Sequence, residues 1–196
     1  MSETTLRTFI AFKLPEHVIS LLQSVQQELI SYGFKVRWVR PENIHLTIKF
    51  LGNIHQTDLN KISGALLESA KTHGPFSFSA KGLGIFPGLS RPQVIWVGFA
   101  GEIERISRFQ QHLDQSLSAL GFPKENRPFQ GHLTLGRFKG KTHTGKLVDA
   151  LNAQSGFESE PVTIDRVILF KSDLNPSGPI YSELLAVPLG GKTQPG

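Results

Sequence analysis

Two tripeptides carry the residue types and spacing that could do chemistry in this chain, His45-Leu46-Thr47 and His132-Leu133-Thr134. Each lies in a run that reads as a β-strand, Ile44 to Leu51 and His132 to Phe138. Strand side chains alternate between faces, so His and Thr at i and i+2 project from one face. Leu46, Ile48, Leu133 and Leu135 then project to the other, where a core can bury them. Composition alone would supply about 0.05 copies of this tripeptide, and two are present. An imidazole titrates near about pH 6.5. Of two rings facing one cleft, a neutral one can activate water while a protonated one donates to a leaving oxygen. The neighbouring hydroxyls can donate to non-bridging phosphoryl oxygens as phosphorus becomes five-coordinate. The constellation predicts acid–base chemistry on a phosphodiester.

Arg137 lies five residues past His132, an odd offset that on an unbroken strand would turn it away from the histidine. Gly136 makes a β-bulge the natural remedy, and a bulge would bring the guanidinium into the cleft as a fork for phosphate. A strand histidine by itself is ordinarily a polar surface residue; the matched Thr neighbours in two copies argue for more. A metal centre needs further ligands, and no Asp, Glu or Cys stands in phase with either histidine. His17, His55, His73, His112 and His143 have no matched environment and read as surface residues. Lys139 and Lys141, with Arg37, Arg40 and Arg91, could line an RNA path, although loop charges are ordinarily just solvated. Phe12 and Trp38 are candidates for stacking on a base, and Lys139 for an RNA contact; Phe9 joins the aromatic candidates, with a core role the commoner one for the two Phe.

The elements that must position these groups repeat. Phe9 to Phe12 reads as a strand. Val18, Leu21, Leu22, Val25 and Leu29 keep helical spacing from Pro15 to about Ser31, with Gly33 as the stop. A short strand over 36–39 and a turn at Arg40 to Asn43 lead into the first His strand. Thr57 is placed to cap a second helix, and Phe76 to Ala80 reads as a strand whose sheet-like pattern Leu83 to Phe86 continues. The second half follows the same order: strand 94–97, a helix from Ile103 to Leu120 stopped by Gly121, the second His strand, a short helix near Leu147 to Leu151, and a strand from Val162 to Phe170. One extra strand, Tyr181 to Val187, comes last. His45 and His132 are 87 residues apart, Gly33 and Gly121 are 88, and Ile85 and Leu169 are 84. These offsets predict an internal duplication, about 7–87 and 93–171, within one domain over 1–190, with a disordered tail at 191–196. Helix–sheet content in two copies predicts an α+β pair of lobes, which a pseudo-two-fold axis would turn toward one cleft.

Composition sets the outer bounds. The chain has 196 residues, 39% hydrophobic, with a formal charge of +5 that weakly favours an anionic partner such as RNA. It has no cysteine, which excludes disulfides, a thiolate nucleophile and sulfur-ligated zinc. The N-terminus carries no signal-peptide pattern and no apolar run reaches the ~20 residues of a membrane helix. The simplest expectation is a cytoplasmic monomer that needs no membrane.

These residues resemble the 2H phosphoesterase superfamily, named for its paired His-x-Thr/Ser motifs, and within it the RNA 2′,3′-cyclic phosphodiesterases once called 2′-5′ RNA ligases. The resemblance runs through Arg7 to Phe12 with Leu14-Pro15, Trp38-Val39, Asn43 to Thr47, Lys49 to Gly52, Gly84 to Pro87, Arg91-Pro92 and His132 to Arg137. It implies a bilobal α+β fold with helices outside and the active-site cleft between the sheets. It implies no cofactor, a metal-independent mechanism, and hydrolysis of RNA 2′,3′-cyclic phosphate ends or cyclic nucleotides to 2′-phosphomonoesters, with weak reverse ligation. It also implies His45 as the general acid, His132 as the general base, and Thr47, Thr134 and Arg137 as phosphate-binding groups. The competing reading is a non-catalytic RNA-end or nucleotide-binding module. In one place the chain departs from the family: Gln130-Gly131 stand where a lysine and proline usually precede the second histidine.

Overall fold

The computed structural model describes residues 5–176 and 178–190; the tail expected at 191–196 lies outside them. In chain order the elements are β1 (Thr5–Lys13), α1 (Glu16–Ser31), β2 (Val36–Trp38), β3 (His45–His55), α2 (Leu59–Lys71), β4 (Phe76–Phe86), β5 (Val94–Gly101), α3 (Ile103–Ser118), β6 (Leu133–Phe138), α4 (Thr144–Ala153), β7 (Val162–Ile164), β8 (Arg166–Asn175) and β9 (Gly178–Pro188). Among the described residues no helix is long and apolar enough to cross a membrane.

The strands form one antiparallel sheet in the order β7-β4-β5-β6-β3-β1-β8-β9, with β2 added to β6. That order is palindromic about the β6–β3 seam. β5 mirrors β1, β4 mirrors β8, and short β7 mirrors β9, so the duplication read from the offsets is a pseudo-two-fold in the sheet. At the seam itself β3 and β6 pair at a single position, Leu46 with Leu133.

Alternation divides the strand residues. Ile10, Phe12, Leu46, Ile48, Leu133 and Leu135 join Val18, Leu22, Leu66, Phe109 and Leu113 of the helices in one large core. Phe9, Ala11, Ile168 and Phe170 form a second, small cluster on the opposite face with Tyr181 packed on it. The helices therefore cover one face, and the other is left concave for the site.

The same irregularity recurs in both His strands. Along β1 and β3, Ile10 pairs with Lys49 and Ala11 with Thr47, leaving Ile48 unmatched. Along β5 and β6, Ile95 pairs with Gly136 and Trp96 with Thr134, leaving Leu135 unmatched. Each extra residue reverses the facing of the strand beyond it. Lys49 and Gly136 turn to the helix side, Phe50 and Arg137 to the concave side. A Cβ on Gly136 would collide with Val36 and Trp38, so a glycine is what lets β2 close on β6.

Two buried side chains tie the lobes together behind the cleft. Gln26 of α1 donates through Nε2 to the carbonyls of Val39 and Leu135, each at 2.9 Å. Lys49 of β3 reaches Asp114 of α3 at 2.5 Å and the Pro123 carbonyl at 2.6 Å. Gln26 and Asp114 occupy equivalent places, one residue after Val25 and Leu113 on the buried stripes of the two long helices.

Two local expectations change and one is sharpened. Thr57 is not a cap: it lies inside a 3-10 turn, Gln56–Asp58, and Asp58 immediately precedes α2. The sheet-like pattern read over 76–80 and 83–86 is one strand, β4, carried past Lys81 by a bulge at Gly82, whose φ is 70°. The strand expected over 162–170 is two, β7 and β8.

Candidate active site

His45 opens β3, and His132 stands one residue before β6. Because Leu46 and Leu133 are antiparallel partners whose side chains enter the core, the preceding histidines both turn to the concave face, diagonally across the seam. Thr47 and Thr134 come next on the same face, half-buried.

Each imidazole is held the same way. Nδ1 of His45 donates to the Asn43 carbonyl at 2.7 Å, and Nδ1 of His132 to the Gln130 carbonyl at 2.8 Å. A carbonyl can only accept, so Nδ1 carries a proton and Nε2 is left as the atom that can take or give one. The Gln130-Gly131 departure therefore leaves the second histidine's anchor matching the first. Gly131 has its own local cause, since a Cβ there would collide with the ring of Phe99.

The walls differ. His45 stacks on Phe9, with centroids 4.7 Å apart and planes at 28°, and meets the edge of Tyr181 at 5.4 Å. His132 meets Phe86 edge-on at 5.0 Å and Trp96 at 6.1 Å. Burial lowers the His45 pKa below the ordinary imidazole value, and the charge of His132 lowers it further, against the raising effect of the Asn43 hydrogen bond. The two rings are thus near enough to feel each other's charge. Burial raises the Tyr181 phenol, while the guanidiniums of Arg137 and Arg7 pull it back. Arg137 thus lies near enough to the His45 wall for its charge to act there. Among the described residues no group of three or more His, Asp or Glu gathers as a metal site.

The family model for LigT-like phosphoesterases matches the chain twice in tandem, over residues 12–96 and 97–181. The chain belongs to the LigT-like phosphoesterase family. It is 33% identical to a Methanothermobacter thermautotrophicus protein named RNA 2′,3′-cyclic phosphodiesterase, over 91% of this chain and 96% of that one. A Thermotoga maritima protein of the same name is also 33% identical, over 91% and 93%. Among solved structures, a Thermus thermophilus protein superposes with a TM-score of 0.77 at 26% identity, over 96% of this chain and all of that one. Escherichia coli LigT, solved with 3′-AMP, superposes at 0.75 with 19% identity, over 95% of this chain and 99% of that one, a likeness of fold.

In this LigT-like chain the structure brings His45, Thr47, His132, Thr134 and Arg137 to one face and leaves two candidates out. Phe12 is not a stacking residue: it is 0% exposed, packed against Phe76 and Phe109 in the main core. Trp38 pairs with Gly136 and packs on the helix side, facing away from the cleft. Both errors come from strand phase, which the sequence does not print. Lys139 is exposed just past β6, and Arg37 pairs with Arg137 across β2 and β6. Residues that spacing alone did not single out for the site also line it. Tyr181 and Phe170 wall in His45, and Phe50, 62% exposed, occupies in the first half the place of Arg137 in the second. The shared offset of five from each histidine was the available signal.

Proposed function

We propose that the chain is a metal-independent RNA 2′,3′-cyclic phosphodiesterase, opening terminal cyclic phosphates to 2′-phosphomonoesters. The observation that carries this reading is the meeting of two imidazoles across the seam, each with Nδ1 held by a main-chain carbonyl. The names of the relatives support the substrate class.

Opening to the 2′-phosphate breaks the bond between phosphorus and O3′, so water must attack in line from the opposite side. His132 takes the proton of the attacking water on Nε2 as its oxygen bonds to phosphorus. As the P–O3′ bond breaks, His45 gives its Nε2 proton to O3′. Thr47, Thr134 and Arg137 hold the non-bridging oxygens. Burial keeps His45 neutral in the free chain; an anionic phosphate beside it restores the charged form, so substrate binding arms the acid. The same groups run in reverse join such an end through a 2′-5′ linkage, weakly in water. One chain supplies both histidines, so a monomer suffices, and we place it in the cytoplasm.

The test is 2′,3′-cyclic AMP with and without EDTA, with products separated by chromatography. The expected product is 2′-AMP at a rate that EDTA does not change. Production of 3′-AMP, or loss of activity with EDTA that zinc or manganese restores, would overturn the reading. Binding without turnover would instead favour a nucleotide-binding module, a reading that leaves two matched titrating groups without a use.

A further inference from the structure

The concave face carries a strip of positive charge, of which the reaction at the histidines uses only one member, Arg137. Arg37 of β2 is the cross-strand partner of Arg137 on β6. Opposite residues of an antiparallel pair project from the same face, with Cα atoms about 5 Å apart. Val36 and Trp38, on either side of Arg37, pack into the helix-side core, so both guanidiniums stand on the concave face. The next row repeats the sign. The amide of Lys139 donates to the Lys35 carbonyl, which places these two lysines beyond the arginines, one step of about 7 Å along the strands.

All four residues are exposed. The ion pairs of the described residues engage other cations, Lys13, Lys49 and Lys81 among them; none of these four meets a carboxylate there. Like charges directly opposite each other on paired strands destabilise a sheet. The duplication does not demand the arrangement either. By the offset that relates Gly33 to Gly121, Lys35 and Arg37 correspond to Pro123 and Glu125. Counted from the two histidines, Arg137 and Lys139 correspond to Phe50 and Gly52. The other half therefore has no cation at any of the four places. An unfavourable charge pattern that symmetry does not impose, continuous with a phosphate-binding group, calls for an anion lying along it.

We propose that Arg137, Arg37, Lys35 and Lys139 form a track for the RNA chain on the 5′ side of the cyclic end. The preferred substrate is then an oligonucleotide end, not a cyclic mononucleotide. The inference rests on the cyclic phosphodiesterase reading and deepens it. With the cyclic phosphate between the histidines, Arg137 is the last group of the reaction site and the first of the track. Arg37 takes the first internucleotide phosphate, and Lys35 and Lys139 take the next. The rows are spaced on the scale of successive phosphates in a nucleic-acid strand. An arginine suits the first step because its planar fork holds two phosphoryl oxygens at once. Contacts to phosphate carry no base identity, so the track selects for length and charge and not for sequence.

The experiment compares kcat/KM for two matched trinucleotides ending in a 2′,3′-cyclic phosphate, and for 2′,3′-cyclic AMP. In both trinucleotides the two upstream sugars are 2′-deoxy; one has phosphate linkages and the other neutral methylphosphonates. The wild-type chain is expected to favour the charged trinucleotide at least tenfold over the neutral one and over cyclic AMP. Arg37→Gln, a substitution at an exposed position, should cut the charged-to-neutral ratio at least fivefold, through a higher KM for the charged compound. Affinity for a single strand falls with log salt at a slope of about −0.7 per bound phosphate, so two bound phosphates predict a ratio about sevenfold lower at about 200 mM KCl than at about 50 mM. That readout needs no variant. Equal use of the two trinucleotides, a ratio unchanged in Arg37→Gln, or one insensitive to salt would overturn the track while leaving the phosphodiesterase reading intact. Hydrolysis of none of the three compounds would overturn that reading, and the track with it.

Discussion

The two halves of the chain build the same His-x-Thr strand and then fill the floor beneath it in opposite ways. Across from Thr47 stands small Ala11, and the space beside it is taken by Phe9, Phe170 and Tyr181. Across from Thr134, at the mirror-related place, stands Trp96, and its indole lies over Gly84, where a Cβ would collide with it. Bulk stands directly across from the threonine in one half; in the other it is displaced two places along β1, to Phe9, with Phe170 and Tyr181 beside it. The bulges agree in position, yet one presents Phe50 and the other Arg137. What the halves share is the placement of hydroxyl and imidazole; what they do not share is the surround. Symmetry serves the groups that act on phosphorus, and divergence serves everything the phosphorus is attached to.

The sharpest test of the shared part removes each histidine in turn. His45→Ala and His132→Ala should each lower kcat by at least ~10², the lower end of general acid–base effects. A p-nitrophenyl phosphodiester, whose leaving group needs no protonation, separates the roles. His45→Ala should recover much of its lost rate on it and His132→Ala should not; recovery in the opposite variant would exchange acid and base. Next in size is the strap behind the cleft. Asp114→Ala leaves Lys49, 3% exposed, without its main partner, and the loss of one member of such a pair typically costs ~3–5 kcal/mol. Urea denaturation should show that drop, while Lys49→Met combined with Asp114→Leu should regain most of it.

The diverged part is tested at the paired bulge positions. Arg137→Ala should cost about 1.5–3 kcal/mol in kcat/KM, the worth of hydrogen bonds to a charged phosphate. Phe50→Ala, at the equivalent place, should cost clearly less, and equal losses would mean that the two sides contact substrate alike. The smallest expected effect is on stability against pH. The folded pKa of His45 lies below its unfolded value of about 6.5. Between those two values the unfolded chain binds more protons, so stability is full above about pH 6.5 and falls as the pH drops toward the folded value. Removing the imidazole in His45→Gln should flatten this part of a thermal-unfolding profile.

Much of this was legible before any coordinates. The paired tripeptides, the 87-residue offset and the helical stripes depend on local spacing, which a sequence displays directly. Even the bulge at Gly136 could be read, because Arg137 had the wrong parity and a glycine stood beside it. The matching bulge at Ile48 carried no glycine, so Lys49 and Phe50 could not be assigned to their faces. Phe12 and Trp38 were misplaced because aromatic identity says nothing about strand phase. Both main-chain anchors of the histidines were invisible for a different reason: a carbonyl has no letter in the sequence. Tyr181 approaches His45 only through the pairing of β1 with β8 and β8 with β9, a contact spanning 136 positions.

The two straps also govern the order in which this chain can become stable. When the first half leaves the ribosome, Gln26 has no Leu135 carbonyl to bind and Lys49 has no Asp114. A cation destined for burial is then without its counter-ion, and folding that half alone would enclose an uncompensated charge. The second half is in the same position, since its own bulged strand is gripped by a helix made earlier. Neither half can finish its interior from its own residues, so the repeat that looks like two modules in sequence matures as a single cooperative unit, completed only when synthesis has passed both.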